Sequence, residues 1–143
     1  DQNYEKLIPL VIKKIVEKKS IPIYGEGKNI RDWLYIDDHV SAIELIFKNG
    51  RIGQNYNIGG QNEIRNIDLV SQIIKMCDKL LDRPENSSLK LIKFVEDRKG
   101  HDYRYSVDFS KLKNELGWNP STNFNDSLNE TVKSYIDKLK TIE

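Results

Sequence analysis

Ile30–His39 reads IRDWLYIDDH and packs a guanidinium, three carboxylates, two further aromatic rings and an imidazole into one short stretch. A guanidinium fork matches phosphate oxygens bidentately, which makes Arg31 a candidate anion ligand. The competing reading is a surface ion pair with Asp32, worth about 0–1 kcal/mol. Residue types alone leave both open. A second group, Arg98, His101 and Arg104, surrounds Gly100 in EDRKGHDYRY. Its donors suit an anion, and a solvated charged loop explains them as well. Asn66 opens the stretch NIDLVSQIIKMCDKLLD. It suits a helix N-cap, and the N-terminus behind it is itself an anion site.

Tyr24 and Lys28 have the spacing of a Tyr-x-x-x-Lys acid–base dyad. Such a dyad needs a helix, because only there do positions four apart share a face. Gly25 and Gly27 lie between them, and each costs a helix about 1 kcal/mol. A strand end and turn is the expectation, and no catalytic residue is assigned. GEGKNI lacks the third glycine of a dinucleotide fingerprint and the spacing of a phosphate-binding P-loop. His39 and His101 have no His-x-x-x-His partner and the acids are scattered, so no metal is expected.

These groups must be positioned by regular elements, and the apolar periods supply them. Leu7 to Lys19 carries Ile8, Val11, Ile12, Ile15 and Val16 at helical spacing, with Pro9 in the first turn. IPIYG reads as a strand, GEGKN as a turn and IRDWLYI as a strand. DDHVSAIELIFKNG reads as a helix with Asp37 or Asp38 as N-cap, Gly50 as stop, and Val40, Ile43, Ile46 and Phe47 as its buried stripe. QNYNIGG reads as a short strand. The helix after Asn66 buries Val70, Ile73, Ile74, Cys77, Leu80 and Leu81. RPENSS is a linker, LKLIKFVE a strand, YSVD a further strand, and FSKLKNELG a helix closed by Gly117. Phe124 to Leu139 is a last helix with Leu128, Val132, Tyr135, Ile136 and Leu139 on one face. Trp33, Trp118, Tyr56 and Phe94 are expected in the core. Alternating short strands and helices give an α/β or mixed α+β fold.

The 143 residues match one ordinary domain, 38% apolar and 31% charged. A net charge of +1 argues against a dedicated nucleic-acid or anionic-membrane binder. No apolar run is long enough for a membrane span, and the start has neither part of a signal peptide. Cys77 is the lone cysteine. A reducing cytoplasm is the expected location.

Six stretches, EKLIPLVI, PIYGEGKNIRDWLYIDDH, GQNYNIGGQNEIRNIDLV, DRKGHDYRYSVD, KLKNELGWNP and TVKSYI, together resemble the dTDP-glucose 4,6-dehydratases of the extended short-chain dehydrogenase/reductase superfamily. The resemblance runs in family order over nearly the whole chain. It implies the C-terminal nucleotide-sugar-binding part of a longer lyase, residues 1–143, with late elements of a Rossmann-type domain. The NAD-binding loop, the catalytic dyad and the acid pair would lie upstream, leaving this chain inactive alone. It further implies a dTDP-sugar substrate, NAD as the parent's cofactor, and a homodimeric parent. By the same resemblance Glu5, Lys6 and Leu7 line the nucleotide side, and Pro22 and Tyr24 lie against base and sugar. Arg31 and Asn66 match diphosphate and ribose contacts, and Arg98 and His101 a second diphosphate clamp. Lys99 stands where the family has proline, which implies a less preorganised loop. Two alternatives stay open: another nucleotide-sugar epimerase or dehydratase, and a stand-alone, non-enzymatic nucleotide-sugar-binding module.

Overall fold

A computed structural model describes residues 2–142, with Ile142 described by its backbone only. Helix α1 (Leu7–Val16) leads into strand β1 (Ile21–Tyr24), followed by β2 (Ile30–Asp32) and α2 (Ile36–Asn49). Strand β3 (Glu63–Arg65) runs directly into α3 (Asn66–Leu80). A 3-10 turn (Ser87–Leu91), β4 (Ile92–Val95), β5 (Arg104–Tyr105), α4 (Ser110–Leu116) and α5 (Phe124–Ile142) complete the order.

Helices α1, α3 and α5 bury the faces that their apolar periods define. Val11, Ile12 and Ile15 meet Leu69, Val70, Ile73, Ile74 and Cys77, and Leu128, Val132 and Ile136 close the cluster. Cys77 is pushed up to about 12 by burial, with Asp78 adding to the rise, so its thiol stays protonated. Strand β1 completes this core through Ile21 and Ile23. Alternation along a strand then sends Pro22 and Tyr24 to the opposite face. Parallel pairing with β4 sets Tyr24 beside Val95, at the mouth of the segment leading to β5.

The second sheet has the order β3-β2-β5, with β2 antiparallel to β3 and parallel to β5. Ile30 is opposite Arg65 on one side and Arg104 on the other. The middle strand carrying Arg31 therefore lies between the entry to α3 and the exit of the 96–103 loop.

Several expectations need correction. Tyr35, not Asp37 or Asp38, occupies the N-cap position of α2. The Asp38 carboxylate points inward and accepts N–H and O–H bonds from Ser121 and Thr122. Helix α2 packs through Asp38 and Ala42 toward Phe109, Leu112 and Trp118. Those polar anchors turn the helix so that most of its apolar stripe faces outward: Val40 is 53% exposed, Ile43 49% and Phe47 90%, while Ile46 packs against that cluster. Arg65, not Asn66, is the N-cap position of α3. Residues 54–60 form no strand, because no described segment ladders with them; instead Asp32 accepts the N–H groups of Gly60 and Asn62, each at 2.8 Å. Gly60 is required there, since a Cβ would come within 2.2 Å of the Trp33 carbonyl oxygen. The final strand is Arg104–Tyr105 rather than YSVD, and β4 is shorter than LKLIKFVE. Phe94, expected in the core, is 57% exposed.

Candidate functional site

The turn after β1 is where the first candidates meet. Gly25 and Gly27 have φ of 54° and 68°, and the Gly27 N–H closes onto the Tyr24 carbonyl at 3.0 Å. Tyr24 and Lys28 are thus on a turn and form no helical dyad; Lys28 pairs with Glu26 at 2.5 Å. Tyr24 instead faces the 96–103 loop. The Arg98 guanidinium lies 4.7 Å from its ring centroid, a cation–π arrangement. The His101 ring meets it edge-on at 6.3 Å.

His101 is held on both nitrogens. Its Nδ1 is 2.7 Å from Asp97 Oδ1, and its Nε2 is 3.3 Å from Arg98 Nη2. A neutral imidazole protonated on Nδ1 satisfies both: it donates to Asp97 and accepts from Arg98. The bond from His101, and then the backbone N–H of Arg98, hold the Asp97 carboxyl below the usual aspartate range. The ring side chain is only 10% exposed, so this loop hangs on a largely sheltered imidazole.

Arg31 reaches the same loop from β2. Its Nη2 donates to the Asp102 carbonyl at 2.9 Å, and its Nη1 to the Ile30 carbonyl at 2.7 Å. The bland alternative, a pair with Asp32, is not what forms. Asn66, in the first turn of α3, donates its backbone N–H to Asn29 O at 2.9 Å. Its side-chain Oδ1 is buried without a partner.

The structure therefore brings Tyr24, Arg98 and His101 into contact, with Arg31 on the adjoining carbonyl. Pro22 lies on the same face of β1 as Tyr24. Arg104 leaves the group, forming two 2.6 Å bonds with Glu63. Glu5 and Lys6 are exposed at the start of α1, and Leu7 is half-buried against the main core. Sequence reasoning missed Asp97 and Asn29. Asp97 stands four residues before His101, a spacing that signals nothing in a loop, and Asn29 reads as one more polar turn residue.

A separate cavity of about 460 Å³ lies between α5 and residues 33–39, lined by Ile8, Trp33, Ile36, Phe124, Thr131 and Tyr135 among others. It contains none of the expected ligand residues.

The fold is of the α/β class, and comparison with known proteins places it among dehydratase and epimerase structures. The family model described as GDP-mannose 4,6 dehydratase matches residues 1–131, and the chain belongs to that family. It is 49% identical over 133 residues to a probable dTDP-glucose 4,6-dehydratase of Sinorhizobium fredii, covering 93% of this chain and 38% of that protein. It is 47% identical to the dTDP-glucose 4,6-dehydratase of Haemophilus influenzae, covering 94% of this chain and 41% of the relative. The structure of dTDP-glucose 4,6-dehydratase from Bacillus anthracis in complex with NAD superposes with a TM-score of 0.80 at 43% identity, covering 96% of this chain and 40% of that one. The Streptomyces venezuelae dTDP-glucose 4,6-dehydratase DesIV, solved with NAD and dTDP bound, gives 0.83 at 38% identity, covering 95% and 40%. The chain thus spans about two fifths of the length of the proteins it matches.

The glycine turn after β1 does not have the form of an NAD-binding loop. Gly25 and Gly27 turn between two strands rather than opening a helix. A Cβ on Gly27 would meet Ile23 at 2.8 Å and Ile67 at 2.9 Å, so that glycine serves internal packing and not a pyrophosphate.

Proposed function

We propose that this chain is the C-terminal nucleotide-sugar-binding part of a dTDP-glucose 4,6-dehydratase, a lyase that removes water from dTDP-glucose to give the 4-keto-6-deoxy sugar. The supporting observation is that Tyr24 of β1 and Arg31 of β2 both contact the loop that carries Arg98 and His101. Two guanidiniums offer ten N–H donors between them, and the contacts described above occupy only a few. The remainder are available to diphosphate oxygens, each charge-assisted bond contributing about 1.5–3 kcal/mol. His101 clamps the loop, and Asn66 contributes the N-terminus of α3, favourable to an anion. Pro22 and Tyr24 offer a flat surface to base and sugar, and Glu5, Lys6 and Leu7 the nucleotide-side wall. No residue of this set handles a proton on the sugar. The catalytic groups and the NAD site belong to an N-terminal part.

The exposed stripe of α2 supports that division. Ile36, Val40, Ile43 and Phe47 line one side of the helix, and Ile36 also lines the apolar cavity. A contiguous apolar surface of this kind is normally covered by protein. The parent is taken as a homodimer, as the resemblance implies, and as cytoplasmic, as the lone cysteine suggests. No helix among the described residues is long and apolar enough to cross a membrane.

A rival substrate comes from the fold. The UDP-glucuronic acid 4-epimerase of Bacillus cereus superposes with a TM-score of 0.78 at 27% identity. Titrating the full-length protein with dTDP and with UDP separates the two. Tighter dTDP binding, weakened at least about tenfold by Arg31→Ala with bound NAD unchanged, is the expected result. Preference for UDP, or an Arg31→Ala variant binding like the parent, overturns this reading.

A further inference from the structure

We propose that Asn29 is the positioning residue of this cradle: its buried side-chain amide holds the 96–103 loop to the strand that carries Arg31, while its backbone carbonyl holds the start of α3. The inference rests on the nucleotide-sugar reading above but adds a residue outside its ligand set. Asn29 is 6% exposed, and a buried amide persists only when its polar atoms are bonded. Its Nδ2 donates to the Asp102 carbonyl at 3.2 Å. That same oxygen takes the Arg31 Nη2 bond at 2.9 Å, so both its lone pairs are engaged. The Asn29 backbone carbonyl separately accepts the Asn66 N–H at 2.9 Å. One residue thus meets β2, the start of α3 and the 96–103 loop.

The loop has little else to order it. Arg98, Lys99, Gly100 and Asp102 are exposed, and a Cβ on Gly100 would touch nothing within 4 Å. Its fixed points are the His101 contacts, the Arg98 guanidinium on the Tyr24 ring, the Ile30 N–H bond to the Tyr103 carbonyl at 2.7 Å, and the Asp102 carbonyl. Removing the Asn29 amide strips one of the two donors from that carbonyl and frees Arg31 to follow the loop. An aspartate there is the same size but sets a carboxylate oxygen against the carbonyl, turning attraction into repulsion.

The test uses the full-length protein with Asn29→Ala and the isosteric Asn29→Asp, read by amide hydrogen exchange and dTDP titration. In both variants the amides of His101, Arg104 and Tyr105 should exchange at least about tenfold faster, while the core amides of α3 and α5 keep their rates. Affinity for dTDP should fall at least about tenfold, and Asn29→Ala combined with Arg31→Ala should bind about as weakly as Arg31→Ala alone. Loop amides at the parent's rate, or strictly additive losses, overturn the proposal. If the unmodified protein fails to bind dTDP, the nucleotide-sugar reading falls, and the exchange rates still decide whether Asn29 orders the loop. Should Asn29→Ala not fold, Asn29→Asp supplies the same comparison.

Discussion

Asp97 and His101 face each other at 2.7 Å across the tip of the loop that also carries Arg98. The bond from His101 is the first reason the Asp97 carboxyl sits below the usual aspartate range. A carboxylate with a depressed folded-state value supports the folded loop above its unfolded value and withdraws that support as pH falls through the folded one. Carbon NMR of Asp97 should show titration below that of a free aspartate. His101→Ala should move it upward. A titration unchanged by His101→Ala would remove the bond from the account.

Asp38 makes a sharper stability prediction. Burial raises its carboxyl, but the bonds from Thr122 and Ser121 outweigh it and the net direction is down. Asp38→Ala strands those donors and loosens the 118–122 segment from α2. A loss of about 2–3 kcal/mol in urea unfolding is expected. A loss under about 0.5 kcal/mol would mean that the segment is held by Trp118 packing alone.

Gly27→Ala should cost about 1–3 kcal/mol, because the position combines positive φ with a Cβ contact under 3 Å to both Ile23 and Ile67. Gly53→Ala is the control: it shares the positive φ, but its Cβ meets nothing within 4 Å. Equal losses at the two sites would show that backbone conformation, and not packing between β1 and α3, sets the requirement.

Phe47→Ser should leave the stability of the isolated chain within about 0.5 kcal/mol, since the ring is 90% exposed. The same change should lessen self-association, read by sedimentation velocity at rising concentration. A loss of several kcal/mol would restore the sequence-based expectation that this stripe is buried.

That stripe shows where sequence legibility stops. Apolar spacing finds α1, α3 and α5 because their partners are one another, all within the chain. On α2 the same spacing finds a face but not what covers it. The buried face is fixed by Ser121 and Thr122, distant in sequence, bonding Asp38. QNYNIGG reads as a strand for its residue types, yet a strand exists only with a neighbour. The candidate site divides in a similar way. Arg31, Arg98 and His101 are plausible anion ligands from chemistry, and the family resemblance groups them. Only the parallel β1–β4 pairing puts Tyr24 under Arg98, and only tertiary contact gives Asp97 and Asn29 their roles.

A crystal structure of the full-length protein with dTDP bound tests the central claim most directly. The account predicts diphosphate oxygens within roughly 3.2 Å of guanidinium nitrogens from both Arg31 and Arg98, with the nucleoside running along Pro22 and Tyr24. A nucleotide seated elsewhere, for example in the cavity lined by Trp33 and Phe124, with Arg31 and Arg98 left facing solvent, would contradict it.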